Sequence, residues 1–153
     1  MDILFINPGS SKEVYQGLST DYAGIGTPYW ALLLSQSCRS QGYKVGILDI
    51  LAEGISRKDA VERIKTLNPR LISVCVYGEN VNSGTTQMSG AVKLANLIKE
   101  SGIDIPISFV GSHVQALPYK VLNEEPNIDI IFTNEGVYSL WNILKLNDFT
   151  DIK

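Results

Sequence analysis

An almost unbroken apolar run stands near the middle of the chain: Leu71-Ile72-Ser73-Val74-Cys75-Val76-Tyr77. Asn68-Pro69 precedes it and ends a helical pattern, and a polar loop follows from Gly78. Apolar residues at nearly every position, rather than at alternate ones, are typical of a strand that helices cover on both faces. The run therefore predicts a buried strand of a parallel sheet.

Shorter apolar runs and helical patterns alternate on both sides of this strand. The predicted strands are residues 2–7, 44–49, 71–77, 107–110 and 128–133, with helices between them and a last helix over 137–144. No hairpin signal separates the strands, which favours parallel strands joined by helices. Right-handed crossovers then predict an α/β doubly wound sheet, flavodoxin-like or Rossmann-like, with strand order 2-1-3-4-5 and helices on both faces.

Two helices carry capping residues in the sequence. Thr27 is predicted to cap the first helix, with Pro28 at its first position. Gly42 is predicted to end that helix in a left-handed conformation. Ser56 and Asp59 have the spacing of a capping box for the second helix.

The composition fits one globular domain. The chain has 153 residues, 44% of them hydrophobic and 19% charged, and a formal net charge of -3. Basic residues are scattered, which argues against nucleic acid as the main partner. Cys38 and Cys75 are interpreted as small buried hydrophobic residues. No apolar run reaches the roughly 18 residues that span a bilayer, and Asp2 does not fit a basic signal-peptide start, so a cytoplasmic location without membrane contact is expected.

Polar loops are predicted at one edge of the sheet, over residues 8–27, 78–85, 111–117 and 134–136. In open α/β sheets, ligands bind outside the carboxyl ends of the strands, where such loops meet. These loops contain many Gly, Ser, Thr and Asn residues and few of the types that perform acid–base chemistry. We therefore expect a polar ligand held by backbone groups, with no catalytic residue and no metal-ligand set from the protein.

The loops do not match the sequence motifs of known nucleotide-binding or phosphorylated domains. No GxxxxGK[ST] pattern occurs, which excludes a P-loop. Gly24-Ile25-Gly26 stands before a helix, as in a dinucleotide fingerprint, but lies far from the first strand, so a plain loop is favoured. A phosphorylated receiver domain needs converging acidic residues where this chain has Asn7-Pro8 and Tyr77-Gly78-Glu79.

The single histidine, His113, and the acidic Glu135 each admit two interpretations. His113 could be a base or a metal ligand, but no nucleophile or companion ligand stands at a recognisable spacing. A loop histidine that bonds backbone or ligand groups is favoured. Glu135 could bond a ligand hydroxyl, or it could accept backbone N–H groups at the start of the last helix, where a negative charge is stabilised.

The order of the loop motifs resembles one known family. These motifs are Asn7-Pro8, Gly26-Thr27-Pro28, Gly42-Tyr43 before Val45 and Asp49, Gly111-Ser112-His113 with Pro118, and Asn134-Glu135-Gly136. Together they resemble the cobalamin-binding domain that precedes the catalytic barrel in cobalamin-dependent radical S-adenosylmethionine enzymes. The resemblance runs over nearly the whole chain.

The resemblance implies that the loops hold the corrin ring while the nucleotide tail enters the switch point of the sheet. The implied cofactor-binding residues are Gly26, Thr27, Cys75, Val76, Tyr77, Gly111, Ser112, His113, Asn134, Glu135 and Gly136. Gly111 is expected to line the tail slot, so that Gly111→Val would block cobalamin and leave the fold intact. The first loop lacks the DxHxxG sequence of many corrinoid carriers. The resemblance therefore implies cobalamin without a lower histidine ligand.

The chain departs from the family pattern at two places. Ser112 stands where the family has a second glycine, and Val137 stands where it has a second acid. These departures keep open a regulatory or interaction domain of flavodoxin-like form without a cofactor, and a nucleotide-binding domain.

The chain also lacks CxxxCxxC, the pattern that holds the iron–sulfur cluster in that family. We therefore expect no catalysis from this chain alone. The resemblance implies a parent enzyme, of methyltransferase type, in which a following radical S-adenosylmethionine domain holds a 4Fe-4S cluster and S-adenosylmethionine. Residues 1–146 would form the cobalamin-binding domain, and residues 147–153 would begin the connector.

Overall fold

A five-stranded parallel sheet forms the centre of the computed structural model, which describes residues 1–9, 24–78 and 83–149. The strands lie in the order β2-β1-β3-β4-β5, and each neighbouring pair is parallel, which confirms the predicted topology. Their bounds are β1 Ile3–Asn7, β2 Val45–Asp49, β3 Leu71–Cys75, β4 Ile107–Val110 and β5 Ile130–Phe132. Much of the predicted loop 8–27, part of the loop 78–85, and residues 150–153 lie outside the described ranges.

Helices cover both faces of this sheet. Within the described ranges they are α1 Tyr29–Ser40, α2 Arg57–Leu67, α3 Ser83–Glu100, α4 Ser112–Ala116, α5 Pro118–Glu124 and α6 Val137–Leu144. One core lies between the sheet and α2 and α3, and the other lies between the sheet and α1 and α6. None of these helices is long and apolar enough to cross a bilayer.

The central strand β3 contributes to both cores, as its continuous apolar sequence predicted. All five of its residues are buried. Ile72 and Val74 face α2 and α3, whereas Leu71 and Cys75 face α1 and α6. This alternation explains why a strand covered on both faces shows no polar–apolar period in its sequence.

The capping predictions met different outcomes. Ser56 and Asp59 form the predicted capping box, since each backbone N–H is bonded by the other side chain. Gly42 follows α1 at φ +87°, as predicted. The prediction that Thr27 caps α1 was wrong. Pro28 occupies the N-cap position, and no described side chain forms a capping hydrogen bond there. The carbonyl of Thr27, rather than its hydroxyl, accepts the bond from the N–H of Tyr29.

Two of the predicted loops are shorter than expected. Most of the predicted loop 111–117 is the short helix α4, and α5 follows at Pro118. Proline is favoured at a first helical position because its missing N–H needs no partner there. The predicted loop 78–85 is shortened because α3 already begins at Ser83.

Arg70 binds the segment that follows α6 at the amino edge of the sheet. Its Nη2 donates to the carbonyl of Leu146 at 2.6 Å, and its Cζ lies 5.5 Å from the ring centroid of Phe149. Its Nη1 also lies 3.6 Å from the carboxylate of Asp2. The described beginning of the predicted connector is therefore packed against the domain, at the edge opposite the loops considered below.

Candidate cofactor site

One side chain connects three segments of the chain at the carboxyl edge. Gln115 of α4 donates from Nε2 to the hydroxyl of Tyr77 at 2.9 Å and to the carbonyl of Asn134 at 2.7 Å. These bonds join the ends of β3 and β5 through the helix that follows β4. Gln115 was not among the predicted site residues, because its position between the two partners depends on α4, which was expected to be a loop.

Tyr77 is also held by an aromatic partner. Its ring stacks on Trp30 of α1, with ring centroids 4.3 Å apart and an angle of 18° between the planes. The stack brings the start of α1 to the end of β3. Burial raises the pKa of Tyr77 to about 12, although the bond from Gln115 acts in the opposite direction. The phenol is therefore neutral at physiological pH.

Cys75 and Val76 are placed differently from Tyr77. Both side chains are buried, and they face opposite cores. Burial raises the pKa of the Cys75 thiol to about 12, which leaves it protonated and a poor nucleophile. Ligand contacts from these two residues would have to come from their backbone groups.

Gly111 does not have the open surroundings that the sequence prediction assigned to it. A Cβ atom at this residue would lie 2.6 Å from the carbonyl carbon of Val76 and 3.1 Å from its Cα. The space beside Gly111 is thus filled by the end of β3. The expectation that Gly111→Val would leave the fold intact was wrong, because the glycine permits two backbone segments to approach each other.

Ser112 and His113 face the start of α3. A Cβ atom at Gly84 would collide with the hydroxyl of Ser112, so the absent side chain of Gly84 makes room for the serine. The Nδ1 of His113 lies 3.1 Å from the hydroxyl of Thr85. Within the described part of the chain, His113 does not join a group of three side chains suited to hold a metal.

The turn after β5 is organised by Asn134. Its Oδ1 accepts the backbone N–H of Gly136 at 2.8 Å and the hydroxyl of Ser139 at 3.2 Å. Gly136 has φ +85°, a left-handed conformation that favours glycine. Glu135 is exposed, and within the described part of the chain α6 has no side-chain cap. The interpretation of Glu135 as a helix cap is therefore not supported.

Gly26 and Thr27 lie just before α1, where Thr27 is exposed and Gly26 is half-buried. The Trp30–Tyr77 stack carries this helix start to the same edge as the other predicted residues. The structure thus gathers the predicted residues at one edge, but Cys75, Val76 and Gly111 serve the interior of the fold.

A group of small residues lies behind this edge, between the sheet and α1. Ser73 and Ser108 pair in register on neighbouring strands, and alternation places Ser73 on the same face as Cys75. Ser35 of α1 is buried on this side as well. The hydroxyls of Ser35 and Ser73 are buried and have no hydrogen-bond partner among the residues that the structure describes. Buried hydroxyls without partners are unusual, and bound ligands or water commonly satisfy them.

The core on the opposite face includes bulky residues such as Ile72, Val74 and Phe109. A separate cleft of about 760 Å³ opens beside α2 and α3 and is lined by Gly9, Leu51, Arg57 and Leu97, among others. None of the predicted cofactor-binding residues lines that cleft.

The fold and the carboxyl-edge loops define a doubly wound domain that can hold a ligand at its switch point. The sequence profile of the B12 binding domain matches residues 15–143. The chain belongs to this family, which confirms the predicted resemblance.

The chain is similar to part of several longer enzymes. It is 27% identical over 149 residues to an anaerobic magnesium-protoporphyrin IX monomethyl ester cyclase of Rubrivivax gelatinosus, covering 97% of this chain and 25% of the cyclase. The chain therefore spans about a quarter of the length of this relative.

Solved structures of two enzymes share its fold. A radical S-adenosylmethionine methyltransferase, TsrM, from Kitasatospora setae, solved with tryptophan and an analogue of S-adenosylmethionine, superposes with a TM-score of 0.69 at 17% identity, covering 94% of this chain and 25% of TsrM. TsrM has also been solved with cobalamin and a [4Fe-4S] cluster bound. OxsB, a cobalamin-dependent S-adenosylmethionine radical enzyme solved with aqua-cobalamin and S-adenosylmethionine, superposes with a TM-score of 0.67 at 16% identity, covering 94% of this chain and 18% of OxsB.

Proposed function

We propose that this chain binds cobalamin as the cofactor-binding domain of a longer radical S-adenosylmethionine enzyme of methyltransferase type. The observation that carries the proposal is the B12-binding family match over residues 15–143 of a chain whose loop regions converge at one sheet edge. When bound, cobalamin supplies a cobalt centre that can carry a methyl group. The chain's own part is to hold and orient the cofactor.

The residues behind the edge fit the nucleotide tail of the cofactor. The unpartnered hydroxyls of Ser35 and Ser73 could receive hydrogen bonds from polar tail groups or donate to them. Cys75 and Ser108 are further small residues on this same face of the sheet. We infer that Ser35 and Ser73 would hold the tail on the α1 side of β3, and that Tyr77 and Asn134 would contact the corrin ring at the carboxyl edge.

This chain would offer no histidine as a lower ligand of the cobalt. His113 is the only histidine of the chain, and its Nδ1 already lies 3.1 Å from Thr85 on α3. Among the described residues, the polar side chains at this edge include Gln115, Asn134 and Glu135, none of which is an imidazole. This arrangement supports the proposal that the base of the tail is displaced from the cobalt and that no histidine of this chain takes its place.

The rest of the parent enzyme is inferred from its relatives. Because this chain covers 18% of OxsB and 25% of TsrM, we propose that further domains supply a 4Fe-4S cluster, S-adenosylmethionine and the methyl acceptor. In this arrangement residues 1–146 form the cobalamin domain, and residues 147–153 begin the connector. We expect the protein to act in the cytoplasm, without nucleic acid or membrane partners.

A direct binding measurement tests the proposal. The purified chain is mixed with hydroxocobalamin and desalted, and the retained corrinoid is quantified from its visible spectrum. We expect about one corrinoid per chain, with no equivalent retention or thermal stabilisation by nucleotides. After reduction, the electron paramagnetic resonance spectrum of the bound cobalt(II) should lack nitrogen splitting, in the unchanged chain and in His113→Ala alike. A failure to retain corrinoid at high micromolar concentration would contradict the proposal.

A further inference from the structure

The hydrogen bonds around Tyr77 fix the direction in which its own proton can point. The carbonyl of Asn134 can only accept, so the Gln115 atom that lies 2.7 Å from it must be the amide nitrogen. The same nitrogen lies 2.9 Å from the Tyr77 hydroxyl. An amide NH₂ group donates two hydrogen bonds and accepts none, so Tyr77 must be the acceptor in this contact.

The hydroxyl of Tyr77 therefore keeps its proton for another partner. Among the described residues, the bond from Gln115 is the one hydrogen bond that the Tyr77 hydroxyl makes. Since burial raises the pKa of Tyr77 to about 12, the proton is retained throughout the neutral range. The ring cannot easily turn away, because it is stacked on Trp30.

We propose that Tyr77 donates a hydrogen bond to an oxygen acceptor of the bound corrinoid, and that Gln115 positions it for this contact. This inference rests on the proposed function and deepens it, since it assigns a recognition role to one hydroxyl. The acceptor is a neutral carbonyl or a phosphate oxygen. Cobalamin contains both kinds, because its corrin ring carries amide side chains and its tail contains a phosphodiester.

Tyr77→Phe removes the hydroxyl and retains the ring that stacks on Trp30. The affinity of this variant is measured for hydroxocobalamin and for cobinamide. Cobinamide keeps the ring amides but lacks the nucleotide tail. One lost hydrogen bond predicts an affinity about threefold to tenfold weaker, and a lost bond to a charged phosphate predicts a larger loss. Equal losses for both corrinoids assign the acceptor to a ring amide, and a loss confined to hydroxocobalamin assigns it to the tail.

Gln115→Glu tests the direction of the hydrogen bond. A carboxylate in place of the amide would accept the Tyr77 proton and so remove it from the ligand. We expect Gln115→Glu to weaken corrinoid binding, and the double variant with Tyr77→Phe to lose less than the sum of the two single losses. Tyr138→Phe on α6, which is 73% exposed, is the matched control and should bind as the unchanged chain does.

The outcomes separate this inference from the proposed function. If the unchanged chain retains neither corrinoid, the proposed function fails and the Tyr77 role with it. If the chain binds but Tyr77→Phe, with an unchanged thermal midpoint, binds both corrinoids equally well, only the Tyr77 role is overturned. A visible-band shift in the unchanged complex that disappears in Tyr77→Phe would indicate cobalt ligation by the phenolate and would also overturn it.

Discussion

Single residues at the carboxyl edge divide into those that shape the fold and those that remain available to a ligand. Gly111 belongs to the first kind, because the end of β3 occupies the space that its side chain would need. Tyr77 belongs to the second, since its hydroxyl is held at the edge by Gln115. The predicted set of cofactor-binding residues contained both but could not distinguish their roles. A glycine that faces a ligand and one that faces backbone are identical in a sequence.

A substitution at Gly111 tests this division. Gly111→Ala should lower the free energy of unfolding by roughly 1–3 kcal/mol, the usual cost of overpacking a close contact. Urea denaturation of the chain without cofactor provides the measurement. Gly24→Ala is the control, because a Cβ atom there meets nothing within 4 Å, and it should change stability by less than about 0.5 kcal/mol. Equal effects of the two substitutions would show that Gly111 is not closely packed against Val76.

At the level of helices and strands, local signals predicted much of the structure. The alternation of strands and helices was sufficient for the strand order, and the Ser56–Asp59 spacing was sufficient for the cap of α2. The roles of Trp30 and Gln115 could not be found in this way. Each depends on an element brought from elsewhere in the chain to the end of β3, and a single sequence contains no measure of that proximity.

The capping box of α2 gives a test at this scale. Ser56→Ala removes the acceptor for the N–H of Asp59 and should destabilise the chain by about 1 kcal/mol in urea denaturation. Bonds from Ser56 lower the pKa of Asp59, so the capping contribution is present at neutral pH and is lost as acid protonates that carboxylate below its usual range. Ser40→Ala near the end of α1 is an exposed control. A loss no greater than that of the control would exclude a stabilising role for the box.

The whole domain is organised as two cores around one sheet, with the predicted cofactor-binding residues at one edge and the Arg70 contacts at the other. The core beside α1 and α6 also contains both cysteines, and burial raises the pKa of Cys38 to about 11 and that of Cys75 to about 12. Thiols in the unfolded chain would lose their protons near the ordinary value of 9.0. The stability of the molecule should therefore depend on pH in the alkaline range.

The sign of this dependence follows from the protons bound in each state. Above about pH 9 the unfolded chain has lost thiol protons that the folded chain retains, so the free energy of unfolding falls as pH rises. The full contribution is present below pH 9 and is lost towards pH 12. For Cys75 the expected slope is about 1.4 kcal/mol per pH unit between these limits.

Urea denaturation from about pH 8 to about pH 10.5 should show a shallower decline in Cys75→Ala than in the unchanged chain. Val74→Ala is a buried change in the same strand that removes no titrating group, so this control should keep the original slope. Identical slopes in all three proteins would mean that the Cys75 thiol ionises as readily in the folded state as in the unfolded one.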